Sequence, residues 1–320
     1  MWGLPIIRVR RALRIIGWGL GLLAALMPMH VHAQTCTVSM TNVAFGTINV
    51  LPGTAVDTTA TVTVTCSGGS GQQRVCVSIG CGSACDSTSR KMTGPSSSTA
   101  RYDLYSNSAR TTLWGSWQTG YDTAGVQMSV NKNSSANQTV YARFLASQST
   151  DLAGSYTATL SAQPFITYIN QGGAGNCPVG TLTASGSAAV TATVSSNCTV
   201  GTTAISFGSQ GILSSNKDAQ GTLSVQCTTN LPYAVSLDGG TSGATNPTLR
   251  KMTFSTSTVT YGLYQDTART LPWGSTTGVN TVSGTGTGLT QTLNVYGRVA
   301  PQTTPKPGTY SDTILATVTY

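Results

Sequence analysis

Eight cysteines carry the most definite chemistry in this chain of 320 residues, and that chemistry is oxidative cross-linking. Cys36 and Cys66 occupy the same places in the first half of the chain as Cys198 and Cys227 do in the second, which pairs them as Cys36–Cys66 and Cys198–Cys227. Each bond closes a loop of about 30 residues and removes about 3–4 kcal/mol of entropy from the unfolded chain. Cys76, Cys81, Cys85 and Cys177 have no such counterparts; as two further bridges they allow three pairings, among which the sequence does not choose. Zinc is the competing use of four thiols, but their spacing is irregular, and His30 and His32 both precede the first cysteine. Acid–base catalysis finds no constellation either. The chain has no Glu, its nine acidic residues are all Asp, and these are dispersed, mostly in turn contexts. The expectation is a non-enzymatic, cross-linked protein without metal or cofactor.

The elements that must position these cysteines come in two copies. Cys36-Thr37-Val38 matches Cys198-Thr199-Val200, Phe45-Gly46 matches Phe207-Gly208, and Arg90-Lys91-Met92 matches Arg250-Lys251-Met252. Tyr102-Asp103-Leu104-Tyr105 then matches Tyr261-Gly262-Leu263-Tyr264, Ala109-Arg110 matches Ala268-Arg269, Trp114-Gly115 matches Trp273-Gly274, and Gly154-Ser155-Tyr156 matches Gly308-Thr309-Tyr310. Landmarks in one order over so long a stretch indicate two domains of one fold.

The first 33 residues stand apart. Arg8, Arg10, Arg11 and Arg14 precede an apolar run, and Val31-His32-Ala33 has the small-residue form of a cleavage site, which predicts a secretory signal over 1–33 with mature protein from Gln34. The run is short for a membrane span. Removing those four arginines takes the net charge from +8 to +4, and the remaining charges are scattered singly, so nothing tracks a phosphate backbone and no nucleic-acid partner is expected. Charged residues make up only 8% of the chain, leaving Ser, Thr, Gly and Asn to carry the surface.

From Thr35 onward the pattern is that of short strands. Residues 59–66 alternate apolar and hydroxyl side chains almost strictly, as do 221–227; further strands are expected over 75–79, 138–144, 155–160, 233–237, 290–299 and 310–320. Several short strands in about 125 residues predict an all-β fold, two tandem antiparallel sandwiches of immunoglobulin-like architecture. The stretch 165–197 belongs to neither copy. Its piece 187–195 alternates Val190, Ala192 and Val194 on one face, and is either a strand of the second domain or a strand supplied to another sheet.

The Cys-Thr-Val start, the Phe-Gly pair, the spacing of the paired cysteines, the Trp-Gly turn, the Val295-Tyr296-Gly297-Arg298 strand and the closing Gly-x-Tyr-x-Asp of residues 308–312 resemble the spore coat protein U domain. The first copy matches less fully: Val140-Tyr141-Ala142-Arg143 lacks the glycine, and Tyr156 is followed by Thr157-Ala158 without the Asp. The resemblance implies pilin-like sandwiches that each lack a donated strand, in a two-domain tip adhesin of an archaic chaperone–usher pilus. Its implied partners are a periplasmic chaperone, an outer-membrane usher, a neighbouring subunit that donates a strand, and an abiotic or host surface. The expected location is the pilus tip, and the expected role is surface attachment and biofilm formation. Only two residues precede Cys36 after the cleavage site, too few for a strand to offer, which agrees with a tip position. On this reading the domains are 34–164 and 198–320, the strand over 187–195 completes the first in cis, and the second keeps an open groove. Trp114 is matched by Trp273 and reads as scaffold, whereas Trp117 and Tyr121 are extra aromatics and candidate surface anchors, with Leu51 and Leu152 as weaker candidates. A structural coat protein and a carbohydrate-binding adhesin are the alternatives. A coat protein would not depend on a chaperone, and free sugars would compete a lectin.

Overall fold

The computed structural model describes residues 35–68, 71–116, 125–160 and 185–320. The expected signal (1–33), Trp117, Tyr121, Cys177 and most of the stretch between the copies lie outside them.

The first copy contains β1 (Thr35–Met40), β2 (Val43–Ile48), β3 (Val56–Ser67), β4 (Gln72–Val77), β5 (Arg90–Thr93), β6 (Thr99–Tyr105), β7 (Val126–Asn131), β8 (Ser134–Phe144) and β9 (Gly154–Leu160), followed by β10 (Ala188–Val194). The second contains β11 (Cys198–Thr202), β12 (Lys217–Cys227), β13 (Pro232–Leu237), β14 (Arg250–Phe254), β15 (Ser257–Tyr264), β16 (Val282–Thr285), β17 (Gln291–Val299) and β18 (Ala316–Thr319). Alternation decides which face each strand buries. In β3, Ala60, Val62, Val64 and Cys66 are buried while the threonines between them face out. In β12, Leu223, Val225 and Cys227 are buried in the same way. Each copy closes over its own apolar core.

The duplication is visible strand by strand. The order β1-β3-β8-β6-β5 in the first copy recurs as β11-β12-β17-β15-β14 in the second, and the pair β4-β7 recurs as β13-β16; β18 lies beside β13 in the second copy, and its counterpart residues 162–165 in the first fall outside the described ones. Cys36 lies directly across from Cys66, and Cys198 from Cys227; both pairs are bonded, with Cα atoms 4.0 and 4.1 Å apart.

Two buried side chains fasten each copy at corresponding places. Trp114 Nε1 donates to the Val77 carbonyl at 2.9 Å, and Trp273 Nε1 to that of Val235 at 2.9 Å. Arg90 donates to the carbonyls of Ile79, Gly80 and Trp114, and Arg250 to those of Leu237, Asp238, Trp273 and Pro247. A guanidinium is suited to this role because its fan of donors satisfies several loop carbonyls at once. Arg110 and Arg269, both at positive φ, also bond to backbone carbonyls and lie over the rings of Tyr141 and Tyr296.

Three residues join β10 to β11, and Thr228 secures them. Its amide and hydroxyl donate to the Asn197 carbonyl, the hydroxyl also reaches the Ser195 carbonyl, and it accepts from the Asn197 amide at 3.0 Å. Nearby, Leu152 forms a parallel bridge with Thr229, and Gln226 Nε2 donates to the Leu51 carbonyl at 3.3 Å. The two sandwiches therefore meet through Leu51 and the 149–152 loop on one side and residues 226–229 on the other.

Candidate functional site: an open strand groove

One part of the first sandwich has no counterpart in the second. In the first, β10 lies between β9 and β2, antiparallel to β9 and parallel to β2. Val190 is opposite Ala158 on one side and Val43 on the other, and Ala192 is opposite Tyr156. Ala188, Val190, Ala192 and Val194 point inward and are buried, while Thr191 and Thr193 face out. Four inward residues thus seal the core while the backbone of the same strand completes two sheet edges, which is what the period of a strand allows. The register shifts between Thr191 and Thr193, where Gly46 of β2 takes φ 71°.

The second sandwich has both walls of this groove and, among the described residues, no strand between them. Gly208, the counterpart of Gly46, takes φ 67°, so the first wall has the same backbone bend. Residues 203–208 nevertheless form no ladder with another strand. Nor do residues 308–315, apart from one pairing of Ser311 with Thr253 that matches Thr157 with Thr93. The alternating pattern predicts a strand over 310–320, but only Ala316–Thr319 forms one. The reason is physical: a strand is defined by a partner, and β10 supplies that partner only to the first copy.

Burial follows the same division. Val43, Phe45, Tyr156 and Leu160 are at most 7% exposed. Their counterparts Ile205, Phe207, Tyr310 and Ile314 are only partly buried and line a groove of about 480 Å³, with Tyr261, Leu263, Met252 and Val295 at its base. Asp312 adds a charge to this apolar lining. Its Oδ2 accepts from the Tyr261 hydroxyl at 2.7 Å, and its Oδ1 accepts from the Thr241 amide and hydroxyl and from its neighbour's amide at Thr313. Burial pushes the Asp312 carboxyl up, but the hydrogen bonds from Thr241, Tyr261 and Thr313 outweigh it and hold the group below its ordinary value. The same environment, burial first and the Asp312 bond next, pushes the Tyr261 phenol up.

The other singled-out residues fall in several places. Leu51 is buried, at 6% exposure, and Leu152 is half-buried at the bridge to Thr229. Reading Leu51 and Leu152 as surface anchors is therefore corrected: the fold turns their loops against the second sandwich. Trp114 and Trp273 are both fully buried. Cys81 is bonded to Cys85, stapling the loop after β4, and Cys76 is also disulfide-bonded. Among the described residues no cluster of His, Cys or Asp is arranged to hold a metal. From the sequence, Asp312 is only the close of a family motif that the first copy lacks, where it has Ala158; its place in the groove comes from the structure.

The model of the Spore Coat Protein U domain matches twice, over residues 23–163 and 184–317. Protein U of Myxococcus xanthus is 38% identical over 106 residues, a match that spans 31% of this chain and 59% of that protein. Among solved structures, the CsuC–CsuE chaperone–tip adhesion subunit pre-assembly complex from archaic chaperone-usher Csu pili of Acinetobacter baumannii contains a chain of similar fold. Its TM-score is 0.51 at 15% identity, over 89% of this chain and all of that one. The CupB6 tip adhesin of Pseudomonas aeruginosa aligns at a TM-score of 0.37 and 9% identity.

Proposed function

The chain belongs to the Spore Coat Protein U domain family, and from that membership and the open groove we propose that it is the tip subunit of a chaperone–usher pilus. The observation that carries the reading is the contrast between the copies: the groove filled by β10 in the first sandwich is open in the second. The likeness in fold to a chaperone–tip adhesion subunit complex supports it.

On this reading β10 is a donor strand acting in cis, leaving the first sandwich free to attach to a surface and promote biofilm formation. The second sandwich receives its missing strand from another chain. In the periplasm that chain is a chaperone, and in the fibre it is the neighbouring subunit, exchanged at the outer-membrane usher. Affinity comes from the main-chain groups of 203–208 and 308–315, and specificity from the pockets between Ile205, Phe207, Tyr310 and Ile314. An uncovered edge of this kind invites aggregation, which gives the chaperone its physical role.

The test is co-expression of the exported full chain with the chaperone of such an assembly. The native chain is expected to co-purify with it and to appear at fibre tips. Phe207→Asp, which puts a charge in the groove, is expected to lose the complex while the first sandwich stays protease-resistant. Export and surface display of a monomer without any chaperone would overturn the reading.

A further inference from the structure

The groove is not uniformly apolar, and its one charge sits at a register position that the first copy defines. The residue of an incoming strand that stands where Val190 stands in the first sandwich will face the counterparts of Ala158 and Val43, which are Asp312 and Ile205. In the first copy this position is wholly apolar, with Val190 fully buried against Ala158. The Tyr102 hydroxyl, the counterpart of Tyr261, has no hydrogen-bond partner there. In the second copy the same place holds a carboxylate whose Oδ1 accepts three hydrogen bonds and whose Oδ2 accepts one, from Tyr261. An ionised carboxylate has about four lone-pair sites, two on each oxygen, so Oδ2 retains acceptor capacity. Asp312 lines the groove, so a strand closing it strips water from the carboxylate. If the facing residue is apolar, the oxygen loses a partner; if it carries a hydroxyl or amide hydrogen, the oxygen keeps one.

We infer that Asp312 makes the second groove selective for a partner strand that presents a hydrogen-bond donor, such as Thr, Ser or Asn, at the position where β10 presents Val190. The inference rests on the strand-acceptor reading of the groove and adds to it the chemistry of one residue of the partner. It also explains why the two copies differ here. A groove filled permanently by Val190 needs no mark of identity, whereas one that must choose among exported strands gains one from a single fixed carboxylate. The β10 sequence is thereby a poor occupant of the second groove.

The test uses the full chain and two fluorescently labelled peptides. One carries the sequence of residues 186–196, and the other carries the same sequence with Val190→Thr, which keeps the shape of the side chain and adds a hydroxyl. Binding is read by anisotropy with the native protein and with Asp312→Ala. The Thr peptide is expected to bind the native protein about tenfold more tightly than the Val peptide, and Asp312→Ala is expected to reverse the order. Equal affinities, preference for the Val peptide, or a Thr preference that survives Asp312→Ala would each overturn the selectivity while leaving the groove a strand acceptor. Binding of neither peptide to either protein would overturn both readings. If Asp312→Ala fails to fold, Asp312→Leu, which also removes both acceptor oxygens, takes its place, and the native comparison decides independently.

Discussion

Leu152 and Thr229 are joined by a parallel bridge across the boundary between the sandwiches, and the oxygens Asp151 Oδ2 and Thr229 Oγ1 are buried there without hydrogen-bond partners. Burial pushes the Asp151 carboxyl up to about 6, with the Arg101 guanidinium pulling weakly the other way. A folded-state value above the unfolded one means that the protonated form fits the junction better. The stabilisation is complete below about pH 4 and is lost as pH rises through about 6, an effect of about 1–2 kcal/mol once discounted for the water this side chain keeps. Asp151→Asn is expected to remove that pH dependence and to raise Tm at pH 7.5 by about 2–4 °C, with little change at pH 4. Thermal unfolding of both proteins across this range checks it, and an unchanged pH profile would count against a strained carboxylate at the junction.

The strand β10 gives a second prediction through its two faces. Val190 is fully buried between β9 and β2, and Thr191 faces out. Val190→Asp places an unpaired charge in the core and is expected to cost about 3–5 kcal/mol, opening the first sandwich to protease. Thr191→Asp is expected to change stability by less than about 0.5 kcal/mol. Equal protease sensitivity in the two variants would mean that β10 does not seal this core.

Arg250 offers a third. It is 1% exposed, and its guanidinium ties the loop carbonyls of Leu237, Asp238, Pro247 and Trp273. Burial pulls its pKa down from the usual guanidinium value, though an arginine stays charged. Arg250→Leu leaves these carbonyls without their donor and is expected to cost about 3 kcal/mol or more. Arg250→Lys should recover only part, since one ammonium cannot span the same fan. Denaturant unfolding of the three proteins orders them.

The cross-strand disulfides give a fourth. Replacing Cys198 and Cys227 together by Ala is expected to destabilise the second sandwich by about 3–4 kcal/mol, because a loop of 29 residues is released in the unfolded chain. Unfolding midpoints of the native and double-variant proteins measure it.

Much of this architecture was legible in the sequence because it depends on local pattern. The alternation in β3, β12 and β10 decides which face each strand buries, and the matched landmarks align the two copies. What escaped depends on relations between segments. Residues 310–315 alternate like their counterparts in β9 but, apart from the pairing of Ser311 with Thr253, have no described partner strand, and pairing is not a property of one segment. Leu51 and Leu152 look like loop residues open to a surface, yet they sit where one copy abuts the other, a contact that aligning the copies conceals. Asp312 is a short polar residue in a strand-like run, and its place in a groove emerges only when β10 defines the register.

The three-residue connection from β10 to β11, closed by Thr228, has a mechanical consequence. The covalent path for tension from the second sandwich enters the first at the Val194 end of β10. The hydrogen bonds to β9 lie across the strand axis, so a pull along it loads the ladder in shear, with all rungs sharing the force instead of opening one after another. Withdrawing β10 also drags four buried apolar side chains through the core together. The linker is placed to transmit a pull from one sandwich to the other through a strand that is hydrogen-bonded along both of its edges.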